Sequence, residues 1–115
     1  MTELAQRSCT HLKDDAEPLE GDALDDMSEQ LPDWDVEDDE RIWRLFEFPD
    51  FATALSFVNQ VGALAEQQHH HPDINLSWGT VRVELSTHSI GGLSENDFIL
   101  AAKIDQIPRA AVTNP

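Results

Sequence analysis

The chain has a single cysteine, Cys9, among 115 residues, so no internal disulfide can form and a reducing compartment is the expected setting. It has no apolar run approaching the ~20 residues of a membrane-spanning helix. Its first residues lack the basic start and apolar stretch of a secretory signal, and a cytoplasmic protein is expected. Bases are scarce as well: seven Lys and Arg stand against 23 Asp and Glu, a formal charge of −16. With no basic face to offer phosphates, direct binding of nucleic acid is set aside.

The acidity is unevenly spread. Residues 1–40 hold 15 of the acids with only Arg7 and Lys13, a balance of −13, whereas residues 41–115 carry just −3. A chain of this length makes one domain with one modest core. The reading is therefore an acidic, flexible or loosely docked arm over 1–30, a folded domain over 31–108 and a short tail over 109–115. Within the arm, Cys9-x-His11 is at most half a metal site, since structural zinc takes four ligands.

Local patterns give the order of elements in the domain. Arg41 to Phe48 is aromatic and β-branched with broken alternation, and Pro49-Asp50 stops it, which predicts a strand. Asp50 then suits a helix N-cap, and Phe51, Ala54, Leu55, Val58, Val61, Gly62 and Ala65 recur at helical spacing. Pro72 disfavours helical backbone at His71, so this helix ends around His69-His70-His71. Asn75 to Trp78 and Thr80 to His88 form a strand pair broken at Gly79, in which Val81, Val83, Leu85 and Thr87 alternate with Arg82, Glu84, Ser86 and His88. Ser94 opens a second helix, with Asp97 in the capping-box position and Leu93 and Phe98 as its hydrophobic staple. Together these elements predict an α+β fold, a small antiparallel sheet with helices packed on one face.

Four of the five histidines, His69, His70, His71 and His88, lie within 20 residues of one another. Imidazole alone among side chains both gives and takes protons near neutral pH without help, so the cluster suggests acid–base chemistry. Taken residue by residue, plainer readings stand beside that one: His69 as a solvated neighbour, Glu66 as part of a solvated helix face, Asp97 as a helix cap. A metal cluster of these histidines with Glu66 fits poorly, because three consecutive side chains do not converge on one ion.

The spacing Glu66-x-x-x-His70-His71-Pro72, Trp78, Ser86-Thr87-His88, Gly92-Leu93-Ser94-x-x-Asp97 resembles the signature of the pterin-4a-carbinolamine dehydratases. The likeness extends over residues 31–107 and includes Leu31-Pro32-x-Trp34 and Phe46-x-Phe48-x-Asp50-Phe51. It implies an enzyme that dehydrates a 4a-hydroxytetrahydropterin, such as 4a-hydroxytetrahydrobiopterin, to the quinonoid dihydropterin. It implies too that neither metal nor organic cofactor takes part, and that the product serves aromatic amino acid hydroxylases, phenylalanine hydroxylase above all. Carried onto this sequence, the catalytic positions are His70 and His88 for proton transfer and His71 chiefly for gripping the pterin. The substrate-binding positions are Glu66, Pro72, Trp78, Thr87, Ser89, Ile90 and Asp97. The resemblance further implies a homodimer or homotetramer.

Two positions depart from the family pattern. Ile74 stands where some members have an aromatic residue, and Ile90 where others have a small or sulfur-bearing one; both bear on substrate preference more than on the reaction. The same fold also serves, in other members, as a dimerisation cofactor for a transcription factor or in Rubisco assembly. Assembly look-alikes tend to have lost catalytic positions, whereas all three histidines are present here.

Overall fold

A computed structural model describes residues 4–10 and 16–108. His11 of the Cys9-x-His11 pair and the 109–115 tail lie outside the described residues.

Four strands make one antiparallel sheet: β1 (Asp35–Glu37), β2 (Arg41–Glu47), β3 (Asp73–Leu76) and β4 (Thr80–Leu85), in the order β1-β2-β4-β3. Three helices accompany it: α1 (Gly21–Glu29), α2 (Phe51–Gln68) and α3 (Glu95–Asp105). This is the α+β architecture that the patterning predicts. No helix among the described residues is long and apolar enough to cross a membrane.

The alternation in β4 sends Val81, Val83 and Leu85 fully into the core, where Ile42 and Phe46 of β2 meet Phe57 and Val61 of α2 and Phe98 and Leu100 of α3. Phe57 sits between two other rings, with centroids 4.7 Å from Phe46 and 5.1 Å from Phe48. The broken alternation of β2 has a specific cause. Arg44 takes the inward position between Ile42 and Phe46, lies over the Phe46 ring at 4.6 Å and donates to Asp105 of α3 at 2.8 Å. A charge at that place is held because a carboxylate and an aromatic face replace its water.

Asp50 caps α2 as expected, accepting from the Thr53 amide at 2.8 Å and from the Thr53 hydroxyl. The hydroxyl bond, then the amide bond, hold the Asp50 carboxyl below its usual range. The helix ends at His69, whose backbone is left-handed (φ 54°), with its amide directed to the Ala65 and Glu66 carbonyls. Glycine is the usual residue for such a cap, because any Cβ is crowded there. His69→Gly is expected to raise stability by ~0.5–1 kcal/mol, read as a higher denaturant midpoint; a lower midpoint would show that the imidazole itself holds the turn.

The described parts of the acidic arm pack against the domain expected over 31–108. Leu4 and Leu24 belong to the same core as the sheet, and Leu19 donates its amide to the Leu93 carbonyl at 2.8 Å. Pro18 closes on Gly92, where an added Cβ would stand 2.8 Å from the proline ring. The docked helix α1 has only Leu24 and Met27 facing the core, too short a pattern to register as a period.

Candidate functional site

The Cα pairing of Asp73 with Glu84 sets the geometry of the site. It brings the segment just before β3, residues 70–72, level with the segment just after β4, residues 86–88. The exit of α2 and the start of α3 converge on the same end of the hairpin.

There Asp97, fully buried at the third position of α3, has both carboxylate oxygens engaged. One faces His70 Nε2 at 2.6 Å; the other accepts from the Thr87 hydroxyl at 2.8 Å and from the Ser94 amide at 2.9 Å. The Ser94 hydroxyl lies 2.7 Å from that of Thr87 and, since Thr87 gives its proton to Asp97, Ser94 is the donor in that pair. With a carboxylate as acceptor, the proton between His70 and Asp97 is carried on Nε2, and the neutral ring then has Nδ1 as its basic nitrogen.

His71 points away from this set, its Nε2 2.5 Å from the Glu66 carboxylate, and both side chains are largely exposed. Glu66 is thus placed against the His71 imidazole. His88 follows Thr87 directly and begins a 3-10 turn, His88–Ile90. It is exposed and lines a depression of about 160 Å³ with Glu40, Arg41, Glu84, Ser86, Gly91 and Gly92. Ser89 is exposed, while Ile90 and Pro72 are half-buried. Gly91 ends the turn in the left-handed region (φ 71°).

Three of the residues expected to bind substrate have distinct surroundings in the structure. Asp97 is wholly buried, with one carboxylate oxygen facing His70 and the other accepting from Thr87 and Ser94. The Thr87 hydroxyl is spent on Asp97 and Ser94, making Thr87 a link between β4 and α3. Trp78 is 68% exposed in the turn between β3 and β4, at the opposite end of the hairpin from the histidines, a strand length of ~17 Å away. Spacing in sequence joined it to the motif, but strand direction separates it.

Sequence reasoning missed Gln68 and Asn96. The Gln68 side chain accepts from the Cys9 amide at 2.9 Å, and Asn96 pairs with both backbone groups of Thr10, at 3.0 and 2.7 Å. Neither contact leaves a mark in local periodicity, since the partners are 59 and 86 residues apart. His69 is exposed, as the solvated-neighbour reading has it, and lines a cavity of about 300 Å³ with Cys9, Thr10 and Gln68.

Burial pushes the Cys9 thiol up to about 11, partly offset by Lys103 and reinforced by Asp97. Cys9 in the folded chain is expected to react with iodoacetamide at pH 8 at least ~10-fold more slowly than in denaturant. A raised thiol pKa contributes stability that is intact below about pH 9 and fades as pH rises toward about 11. Equal rates in folded and unfolded chain would contradict the burial argument. Among the described residues, no three His, Cys, Asp or Glu side chains stand together as candidate metal ligands.

A family model described as "Pterin 4 alpha carbinolamine dehydratase" matches residues 17–107. A Rubrobacter xylanophilus protein named "Putative pterin-4-alpha-carbinolamine dehydratase" is 47% identical over 107 residues, covering 93% of this chain and all of its own length. A Chlorobium limicola protein of the same name is 47% identical over 106 residues, covering 90% of this chain and 94% of its own. Among solved structures, the transcriptional coactivator/pterin dehydratase of Brucella melitensis superposes with a TM-score of 0.73 at 32% identity, over 85% of this chain and 100% of that one. A pterin dehydratase-like protein identified as a RuBisCO assembly factor in the alpha-carboxysome superposes with a TM-score of 0.55 at 23% identity, over 70% of this chain and 89% of that one. That last likeness is one of fold alone.

Proposed function

The chain belongs to the pterin 4 alpha carbinolamine dehydratase family, and from that premise we propose that it removes water from a 4a-hydroxytetrahydropterin to give the quinonoid dihydropterin. The observation that carries this reading is the line His70–Asp97–Thr87, which ends beside His88 and is held by direct hydrogen bonds.

The reaction needs two proton movements around one ring. The C4a–O bond breaks as its oxygen is protonated and leaves as water, while N5 loses its proton and the C4a=N5 double bond forms. His70 acts as the base: its Nε2 proton is committed to Asp97, and Nδ1 takes the proton from N5. His88 acts as the acid at the leaving oxygen, and His71, steadied by Glu66, grips the pterin together with Pro72, Ser89 and Ile90. Asp97 fixes the tautomer and orientation of His70 as a buried carboxylate does in a histidine triad. The chemistry is complete without a metal or organic cofactor.

The partners that follow are the pterin and a hydroxylase that supplies it, phenylalanine hydroxylase being the natural candidate. Exposed Leu45, Phe51, Leu55 and Trp78 suit a homodimer or homotetramer, and the working location is the cytoplasm. The test is a coupled reaction of phenylalanine hydroxylase, phenylalanine, oxygen and tetrahydropterin in EDTA. Catalytic amounts of the protein shorten the lifetime of the 4a-hydroxy intermediate, followed by its absorbance. An unchanged lifetime overturns the proposal, and a shortening abolished by EDTA overturns its metal-free form.

A further inference from the structure

The N-terminal segment joins the two elements that present His70 and Asp97. Gln68, the last residue of α2 and two before His70, receives the Cys9 amide. Asn96, one before Asp97, clasps Thr10 by its amide and carbonyl, and is itself only 7% exposed. Cys9 Sγ adds a contact to the Asn96 carbonyl at 3.5 Å. Further back, Arg7 pairs with Glu95, Lys103 donates to the Ala5 carbonyl at 2.8 Å, and Leu4 is buried in the core.

The first three residues of α3 thus have three separate partners: Glu95 with Arg7, Asn96 with Thr10, Asp97 with His70. A cap alone needs only the last of these positions. A surface arm bound for solubility would need none of this part-buried amide pairing.

We infer that residues 4–10 are a strap that holds the C-terminal end of α2 against the N-terminal end of α3 and thereby sets the His70–Asp97 hydrogen bond, with Asn96 and Gln68 as positioning residues. The consequence for turnover rests on the function proposed above, but the strap and its effect on His70 do not.

The physical ground is a matter of tolerance. A hydrogen bond of 2.6 Å between a fully buried carboxylate and a largely buried imidazole fails with a displacement of about 1 Å, since the interaction weakens quickly beyond ~3.2 Å. The ends of two helices drift more than their centres. Tying both ends to one short segment removes that freedom, and a misplaced proton-transfer group is costly to catalysis.

Two variants of the full chain test this. Thr10→Pro deletes the strap's amide donor to Asn96 without substituting a residue of either helix; Asn96→Ala removes its receptor on α3. Three readouts apply to each: the rate of Cys9 alkylation by iodoacetamide at pH 8, the imidazole ¹⁵N and ¹H signals of His70, and kcat against KM. In both variants Cys9 is expected to react ~5-fold or more faster, and the Nε2-protonated tautomer of His70 to lose its single set of shifts. Turnover would fall ~10-fold in kcat with KM within two-fold. Fast Cys9 alkylation beside unaltered His70 signals overturns the positioning role, and unaltered alkylation in Thr10→Pro overturns the strap. Should Asn96→Ala fail to fold, Thr10→Pro alone decides. His70 signals that change in a chain without dehydratase activity leave the strap standing and place the failure in the proposed reaction.

Discussion

His70→Ala and His88→Ala are each expected to lower the dehydration rate at least ~10-fold, and toward 10²-fold at neutral pH, with the larger loss in kcat. The two side chains have unlike environments and are assigned unlike tasks. His70 is nearly enclosed and bonded through Nε2 to Asp97, so its alanine variant removes the base and takes the partner from one oxygen of a buried carboxylate. His88 is exposed in a shallow depression, so its alanine variant removes the acid with little cost to the fold. Initial rates on folded proteins check both, and denaturant midpoints separate the cases. His70→Ala would reduce stability while His88→Ala would not; near wild-type rates in both variants would remove these residues from the chemistry. His71→Ala, on an exposed side chain paired with Glu66, should act mainly through KM.

Asp97→Ala is expected to cost ~2–4 kcal/mol of stability as well as most of the activity. Its two oxygens serve a histidine, a hydroxyl and a backbone amide in a wholly buried setting. Truncation leaves the Thr87 hydroxyl and the Ser94 amide without an acceptor and removes the reciprocal half of the capping box of α3. For a chain of this size that corresponds to a fall in Tm of ~10 °C or more, measured by thermal denaturation. Asp97→Asn, which keeps the volume and one acceptor, should lose less stability than activity. A Tm within ~2 °C of wild type for Asp97→Ala would show that these hydrogen bonds are not what holds α3 to β4.

The parts of the fold that local chemistry specifies were legible in the sequence. Asp50 and Ser94-x-x-Asp97 marked two helix starts, and Val81, Val83 and Leu85 marked the inner face of β4, because caps and period-two burial are properties of neighbours in the chain. β1 and α1 were not legible. β1 is three residues long, and its hairpin turns at Asp38 and Asp39, both with positive φ (55° and 56°), where Asn-Gly would have been the signal.

The candidate site divides along the same line. The spacing of Glu66, His70, His71 and His88 was visible, and the strand register brings the two histidine segments to one end of the hairpin. The division of labour was not visible, because it depends on contacts between distant segments. Asp97 and Thr87 matched the motif, but their burial and their hydrogen bonds to His70, Ser94 and one another could not be read from it. Trp78 matched by position and lies at the far end of β3 and β4. Asn96 and Gln68 carried no signal, since their partners are in the N-terminal segment.

The central claim is that these histidines dehydrate a 4a-hydroxylated pterin directly. Its most direct test is the breakdown of isolated 4a-hydroxytetrahydropterin in a stopped-flow instrument at neutral pH, with and without the EDTA-treated protein. The account predicts a decay rate that rises in proportion to protein concentration, with quinonoid dihydropterin as the product; a rate equal to the uncatalysed one at every protein concentration would contradict it.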